Sequence, residues 1–259
     1  MTLLEQLADS WRSSGVESGD MLLLHSNISG LLQRVYKRHG VFLKADEVID
    51  SVLLALGSEG TLLLPLFNFD FCAGSPFDIR QTPSQMGALT EAARKRPACV
   101  RTGHPVYSFG VLGAKASRFQ GLANVSGCGP DSPFAILLAE NGKIGALDID
   151  DQHCMTFYHF IEEREHVDYR FSKTFSGAYT DASGNTSQKS FSLYVRKANV
   201  ETCLSPMEQL LWSRGLYNGH RPNEGNGLRT IPAKTLAEET QVVIRSGQAD
   251  RFLRSSIFK

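Results

Sequence analysis

Three apolar runs of strand length constrain this chain more than anything else in it: Met21 to Leu24, Thr61 to Leu66 and Ile144 to Ile149. None shows the regular polar–apolar alternation of a strand with one wet face, so each suits a strand covered on both sides by helices. Helical patterns lie between them. Leu3, Leu4, Leu7, Ala8 and Trp11 fall on one face of a helix over 3–14, and a second helix over 44–56 stops at Gly57. A short helix over 89–96 ends at Pro97, another starts from Ser132, and a further one covers 205–214 with Pro206 near its start. Residues 99–113 hold two strands around Gly103-His104-Pro105. From Phe171 to Arg196 polar and aromatic residues alternate around Asp181-Ala182-Ser183-Gly184-Asn185, which predicts an antiparallel hairpin. Residues 219–227 read as loop, and 231–247 as a helix plus a strand. The expected fold class is α/β: a three-layer α/β/α arrangement around a mixed, largely parallel central sheet. An antiparallel hairpin is inserted at about 171–197, and a single domain spans 1–259.

Charge narrows the function. With 27 basic and 27 acidic residues there is no basic excess to displace phosphate counterions, which argues against nucleic acid as a partner. No run reaches the ~18 apolar residues of a membrane-crossing helix, and the first residues carry acids where a signal peptide needs a basic flank. Five widely spaced cysteines without a CxxC pair predict neither a disulfide framework nor a four-cysteine zinc site. The expected compartment is the reducing cytoplasm.

The chemistry concentrates in Thr156-Phe157-Tyr158-His159-Phe160-Ile161-Glu162. On a helix, Thr156, His159 and Glu162 recur at three-residue intervals and face the same side. A carboxylate there can fix the imidazole tautomer, and the imidazole can then take a proton from a substrate. The same pattern also fits an amphipathic helix start with Thr156 near the cap. The segment His25-Ser26-Asn27-Ile28-Ser29-Gly30 leaves a buried strand and opens a helix, a natural place for an anion, or else an ordinary capped turn. Gly103-His104-Pro105 and Ser108-Phe109-Gly110 bring glycines and polar groups to a second strand end. Asp148, Asp150 and Asp151 follow the third apolar run, where carboxylates would suit a cationic acceptor; for Asp151 a solvated loop is the preferred reading. A metal held by His153, His159 and Glu162 lacks a facing ligand spacing, and Cys154 as a nucleophile is a further alternative; both lead to a hydrolase.

Taken in order, these stretches resemble the aminoglycoside 3-N-acetyltransferase family. The resemblance rests on His25-Ser26-Asn27-Ile28, Gly60 to Phe71, Pro76 to Arg94, Arg101 to Phe109, Thr156-x-x-His159-x-x-Glu162, and Tyr169-Arg170-x-x-Lys173. It implies transfer of an acetyl or short hydroxyacyl group from acyl-coenzyme A to an amine of an amino sugar, with no metal. By resemblance His159 is the general base, Glu162 orients it, and Thr156 lies near the thioester. His25, Ser26, Asn27, Ser29, His104, Ser108 and Phe109 would hold coenzyme A. Phe69, Asp70, Asp148, Asp150 and Tyr158 would meet the acceptor. The segment Leu147 to Met155 departs from the family pattern, which shifts the expected acceptor slightly toward a nucleotide-linked amino sugar of surface polysaccharide. Arg34, Arg80 and Arg170 are available for its phosphates, and an aminoglycoside is the alternative. The expected partners are these two small molecules, with no nucleic acid and no membrane, and with assembly as a homodimer left open.

Overall fold

The computed structural model describes residues 1–256. Helix α1 (Leu3–Ser13) starts in a capping box, the Thr2 hydroxyl accepting from the Glu5 N–H and the Glu5 carboxylate from the Thr2 N–H. Strand β1 (Met21–Ser26) leads to α2 (Ser29–His39) and α3 (Ala45–Leu56), and β2 (Thr61–Pro65) follows. The irregular stretch after β2 holds a single turn of 3₁₀ helix and the two-residue β3 (Phe77–Asp78). Next come α4 (Ala88–Arg94), β4 (Val100–Arg101), β5 (Phe109–Gly113), α5 (Pro133–Ala139) and β6 (Lys143–Leu147). A short α6 (Asp151–Cys154) precedes α7 (Phe157–Arg164) and the hairpin β7 (Arg170–Thr180) and β8 (Thr186–Arg196). The chain continues through β9 (Val200–Thr202), α8 (Ser205–Ser213), β10 (Asn218–Gly219), β11 (Leu228–Pro232), α9 (Ala233–Arg245), α10 (Ala249–Phe252) and β12 (Arg254–Ser256).

The central sheet is 7-stranded in the order β10-β11-β6-β1-β2-β5-β4. Its middle trio β6-β1-β2 is parallel, while β5 and β11 run against it; β4 and β10 reverse again, so five of the seven strands point the same way. Alternation along β1 assigns the two layers. Leu22 and Leu24 pack with Trp11, Leu31, Val48 and Leu89 from α1–α4; Met21 and Leu23 pack with Phe134, Phe157, Met207 and Leu236 from α5, α7, α8 and α9. Each central strand is therefore apolar on both faces, the pattern visible in its sequence.

Hairpin β7–β8 forms a second sheet with β3, in register from Arg170↔Arg196 to Thr180↔Thr186. The 231–247 segment departs from expectation in detail. Its strand lies upstream, at Leu228–Pro232, and runs antiparallel to β6 before the chain turns into α9. Among the described residues no helix is long and apolar enough to cross a membrane, and all five cysteines are free thiols.

Candidate active site

The parallel trio gathers the relevant segments at one edge. Ser26 at the end of β1 pairs with Leu147 at the end of β6, Pro65 at the end of β2 pairs with Phe109, and Leu147 also pairs with Leu228. The loops leaving these points, around residues 26–29, 66–71, 102–109, 148–151 and 223–227, share the carboxyl side of the parallel strands, where open α/β sheets bind ligands.

Helix α7 follows β6 by way of α6 and presents His159 and Glu162 one turn apart. His159 Nδ1 lies 2.7 Å from Glu162 Oε2, so the neutral ring donates its Nδ1–H to the carboxylate and turns the Nε2 lone pair outward. The His159 side chain is 20% exposed and that of Glu162 1%. Glu162 is held from further sides: the Tyr169 hydroxyl donates to Oε1 at 3.0 Å, and Arg170 Nε stands 2.7 Å from Oε2. Burial lowers the His159 pKa below 6.5, the Arg170 charge acts the same way, and Glu162 opposes both. Burial alone would raise the Glu162 pKa, but His159, Arg170 and Tyr169 together bring it below the ordinary carboxylate value. The outcome is a charged carboxylate beside a neutral imidazole, the state a proton acceptor needs.

At the end of β1, α2 begins after Ile28 with no side-chain cap; only the Ser29 N–H finds Asn27 Oδ1, at 3.3 Å. Ser26 Oγ, just before this helix start, is buried with no hydrogen-bond partner; His25 Nε2 is also unpartnered, but strand alternation turns that ring to the other face, toward Arg229. Unpaired backbone N–H groups beside an orphaned hydroxyl suit an anionic ligand. Asn27 and Ser29 are exposed there.

Several expected site residues are committed elsewhere. His104 is fully buried: its Nδ1 accepts the N–H groups of Val106 and Tyr107, and its Nε2 lies 3.3 Å from the Ser192 carbonyl. Burial takes its pKa to about 4, and it pins the 104–107 turn to β8 rather than meeting coenzyme A. Ser108 donates to the Leu66 carbonyl and accepts from Arg101, and Phe109 is core, packed edge-on against Phe67 and Phe134. Tyr158 is buried with its hydroxyl on Asp151 at 2.8 Å, out of reach of an acceptor. Asp148, at φ +49°, gives both oxygens to the protein, one to Arg34 at 2.5 Å and one to the Asn223 N–H at 3.0 Å. Asp150 caps α6 and pairs with His153 in the open, and Thr156 turns its hydroxyl to the Cys154 carbonyl at 3.3 Å. Phe69 and Asp70 remain exposed at the sheet edge.

Asp151 reverses its expected place as a solvated residue. It is fully buried, 2.6 Å from the equally buried Arg229, and it accepts from the hydroxyls of Tyr158 and Tyr217. Cys154 is also buried, which pushes its thiol well above the ordinary range and removes the thiolate a nucleophile needs. Among the described residues no three His, Cys, Asp or Glu side chains converge as a metal site.

The family model for aminoglycoside 3-N-acetyltransferase matches residues 23–222, from β1 past α8. The chain belongs to that family. Among curated relatives, aminoglycoside N(3)-acetyltransferase VII of Streptomyces paromomycinus is 28% identical over 159 residues, covering 54% of this chain and 53% of the relative. The type IX enzyme of Micromonospora chalcea is 27% identical over 151 residues, covering 50% and 51%. The chain thus spans about half the length of the curated relatives it matches. Solved structures share the fold across nearly the whole chain. Aminoglycoside acetyltransferase AAC(3)-Xa superposes with a TM-score of 0.77 at 21% identity, covering 96% of this chain and 93% of that one. AAC-IIIb in a binary complex with CoASH gives 0.76 at 18%, covering 95% and 97%. AAC-VIa bound to sisomicin gives 0.74 at 20%, covering 95% and 98%.

Proposed function

We propose that this member of the aminoglycoside 3-N-acetyltransferase family transfers an acetyl group from acetyl-coenzyme A to the 3-amine of an aminoglycoside. The observation that carries the reading is the His159–Glu162 pair, with its imidazole neutral and Nε2 turned outward at the partly exposed face of α7. His159 Nε2 takes a proton from the acceptor ammonium, and the freed amine attacks the thioester carbonyl. The tetrahedral adduct then collapses with cleavage of the carbon–sulfur bond; the second proton on the adduct nitrogen passes to the departing thiolate, leaving a neutral amide and a free thiol, and the imidazolium of His159 releases its proton to solvent. An imidazole held below its ordinary pKa facing an amine that titrates above neutrality makes the first step uphill, and removal of the proton to solvent completes it. The uncapped start of α2, with Ser26, Asn27 and Ser29, is the place for the donor's phosphates, and Phe69 and Asp70 lie where an acceptor ring can meet them.

The nucleotide-linked acceptor favoured by the sequence loses ground on two counts. The relatives' names specify aminoglycosides. The arginines that its phosphates would need are neutralised by carboxylates: Arg34 by Asp148, Arg80 by Asp78 and Arg170 by Glu162. A thiol-release assay with acetyl-coenzyme A against aminoglycosides and nucleotide-linked amino sugars tests the proposal. Release with the former and none with the latter supports it; the reverse pattern restores the other acceptor.

A further inference from the structure

Glu162 raises a physical problem for the base it holds. A carboxylate 2.7 Å from an imidazole stabilises the protonated ring, and a protonated ring cannot accept a proton. The attraction is strong here because little water reaches the carboxylate, the Glu162 side chain being 1% exposed. Hydrogen bonding that orients the ring therefore also tends to disable it; burial of the ring opposes this first, and a positive charge set against the carboxylate opposes it further.

Arg170 supplies that charge. We propose that Arg170 is a positioning residue: set against Glu162, its guanidinium offsets the carboxylate's field at His159, so Glu162 orients the imidazole without fixing a second proton on it. The inference rests on the reading of His159 as the base. Arg170 Nε stands 2.7 Å from the same oxygen, Oε2, that receives His159 Nδ1, and its side chain is 6% exposed. Its place does not depend on Glu162 alone. Nη1 donates to the Tyr194 carbonyl of β8 and Nη2 to the Thr202 hydroxyl of β9, so the root of the hairpin holds the guanidinium in position. The other groups around the ring leave this role to Arg170. Arg196 on β8 acts in the same sense but is exposed. Tyr169 donates to Glu162 Oε1 as a neutral phenol, and burial keeps Tyr107 and Tyr194, the further phenols near Glu162, protonated.

Two substitutions with opposite expected signs test this, read by NMR titration of the His159 ring and by the acid limb of kcat/KM. In Arg170→Gln the carboxylate is unopposed, and the His159 midpoint should rise by about one pH unit, with the acid limb moving equally and turnover recovering at alkaline pH. In Glu162→Gln the Arg170 charge is unopposed, and the midpoint should fall by a similar amount. Arg170→Lys, which keeps the charge, should leave the midpoint within about 0.3 units, the shift expected of an intact pair. An unchanged or lowered midpoint in folded Arg170→Gln, or an unchanged or raised one in Glu162→Gln, overturns the proposal, and either variant suffices if the other does not fold. The titration needs no substrate. A chain whose midpoints move as expected but that acetylates no amine refutes the proposed function and leaves the charge balance standing.

Discussion

Two ion-paired clusters lie on the sequence that follows β6, and they differ in one respect. The Asp151–Arg229 pair is sealed: both side chains are 0% exposed, and Ile149, Tyr158, Tyr217 and Glu208 take up further donors and acceptors around it. The His159–Glu162–Arg170 cluster is packed on the Glu162 side and open at the imidazole. A sealed pair can only shape and specify the fold, because no proton or substrate reaches it. An open ring backed by a sealed carboxylate can exchange protons while its geometry stays fixed. The difference separates structural from chemical charge within a short stretch of sequence.

Altering the open cluster should cost activity before stability. His159→Ala should lower kcat by about 10²–10⁴-fold while the melting temperature stays near that of the parent; near-parental turnover would place the base elsewhere. The sealed cluster should answer in the other currency. Asp151→Asn leaves buried Arg229 with only the more distant Glu208 as counter-charge and should cost about 3 kcal/mol in denaturant unfolding, with turnover per folded molecule largely kept. If instead turnover collapses in a fully stable variant, the sealed pair is part of the chemistry.

Acidification should weaken the fold through the buried neutral histidines. Burial takes the His25 pKa to about 3 and that of His104 to about 4. The unfolded chain takes up these protons near pH 6.5 and the folded chain does not, so stability is lost as pH falls below about 6.5. The limiting slope is about 1.4 kcal/mol per pH unit for each ring, until the folded values are reached. Unfolding curves between pH 7 and 5 measure it, and a flat profile would mean the rings are solvated. The smallest effect is expected at Thr156, whose hydroxyl serves the Cys154 carbonyl. Thr156→Val should change kcat by no more than about threefold, equivalent to less than one typical hydrogen bond. A larger loss would bring that hydroxyl back to the thioester.

What the sequence disclosed follows the range of the interactions. Strands β1, β2 and β6 were readable because a strand covered on both faces must be apolar throughout. The hairpin was readable because its turn is local, around Asp181 and Asn185. The His159–Glu162 contact was equally readable, since three residues along a helix fix it. Pairs distant in sequence were not: Asp151 meets Arg229 across 78 positions, and Asp148 meets Arg34 across 114. Burial was also invisible at His104, Ser108 and Tyr158, because a polar residue that finds a partner inside reads just like one facing a ligand. The family motif around Tyr169 and Arg170 flagged those residues without saying that Glu162 was what they touch.

The hairpin has an uneven division of labour. Its root carries Arg170 and the Tyr194 carbonyl that steadies it, whereas the turn at Ala182–Asn185 is exposed and lies at the opposite end of β7 from Arg170. Clipping the chain between Asp181 and Asn185 should thus be survivable, while loosening the Arg170↔Arg196 end would silence the molecule with its central sheet intact. The arm works as a brace fastened at its root through Arg170 and again near its far end, where Tyr179 and Thr180 pair with Phe77 and Asp78, so that only the turn beyond is left to diverge without disturbing proton transfer.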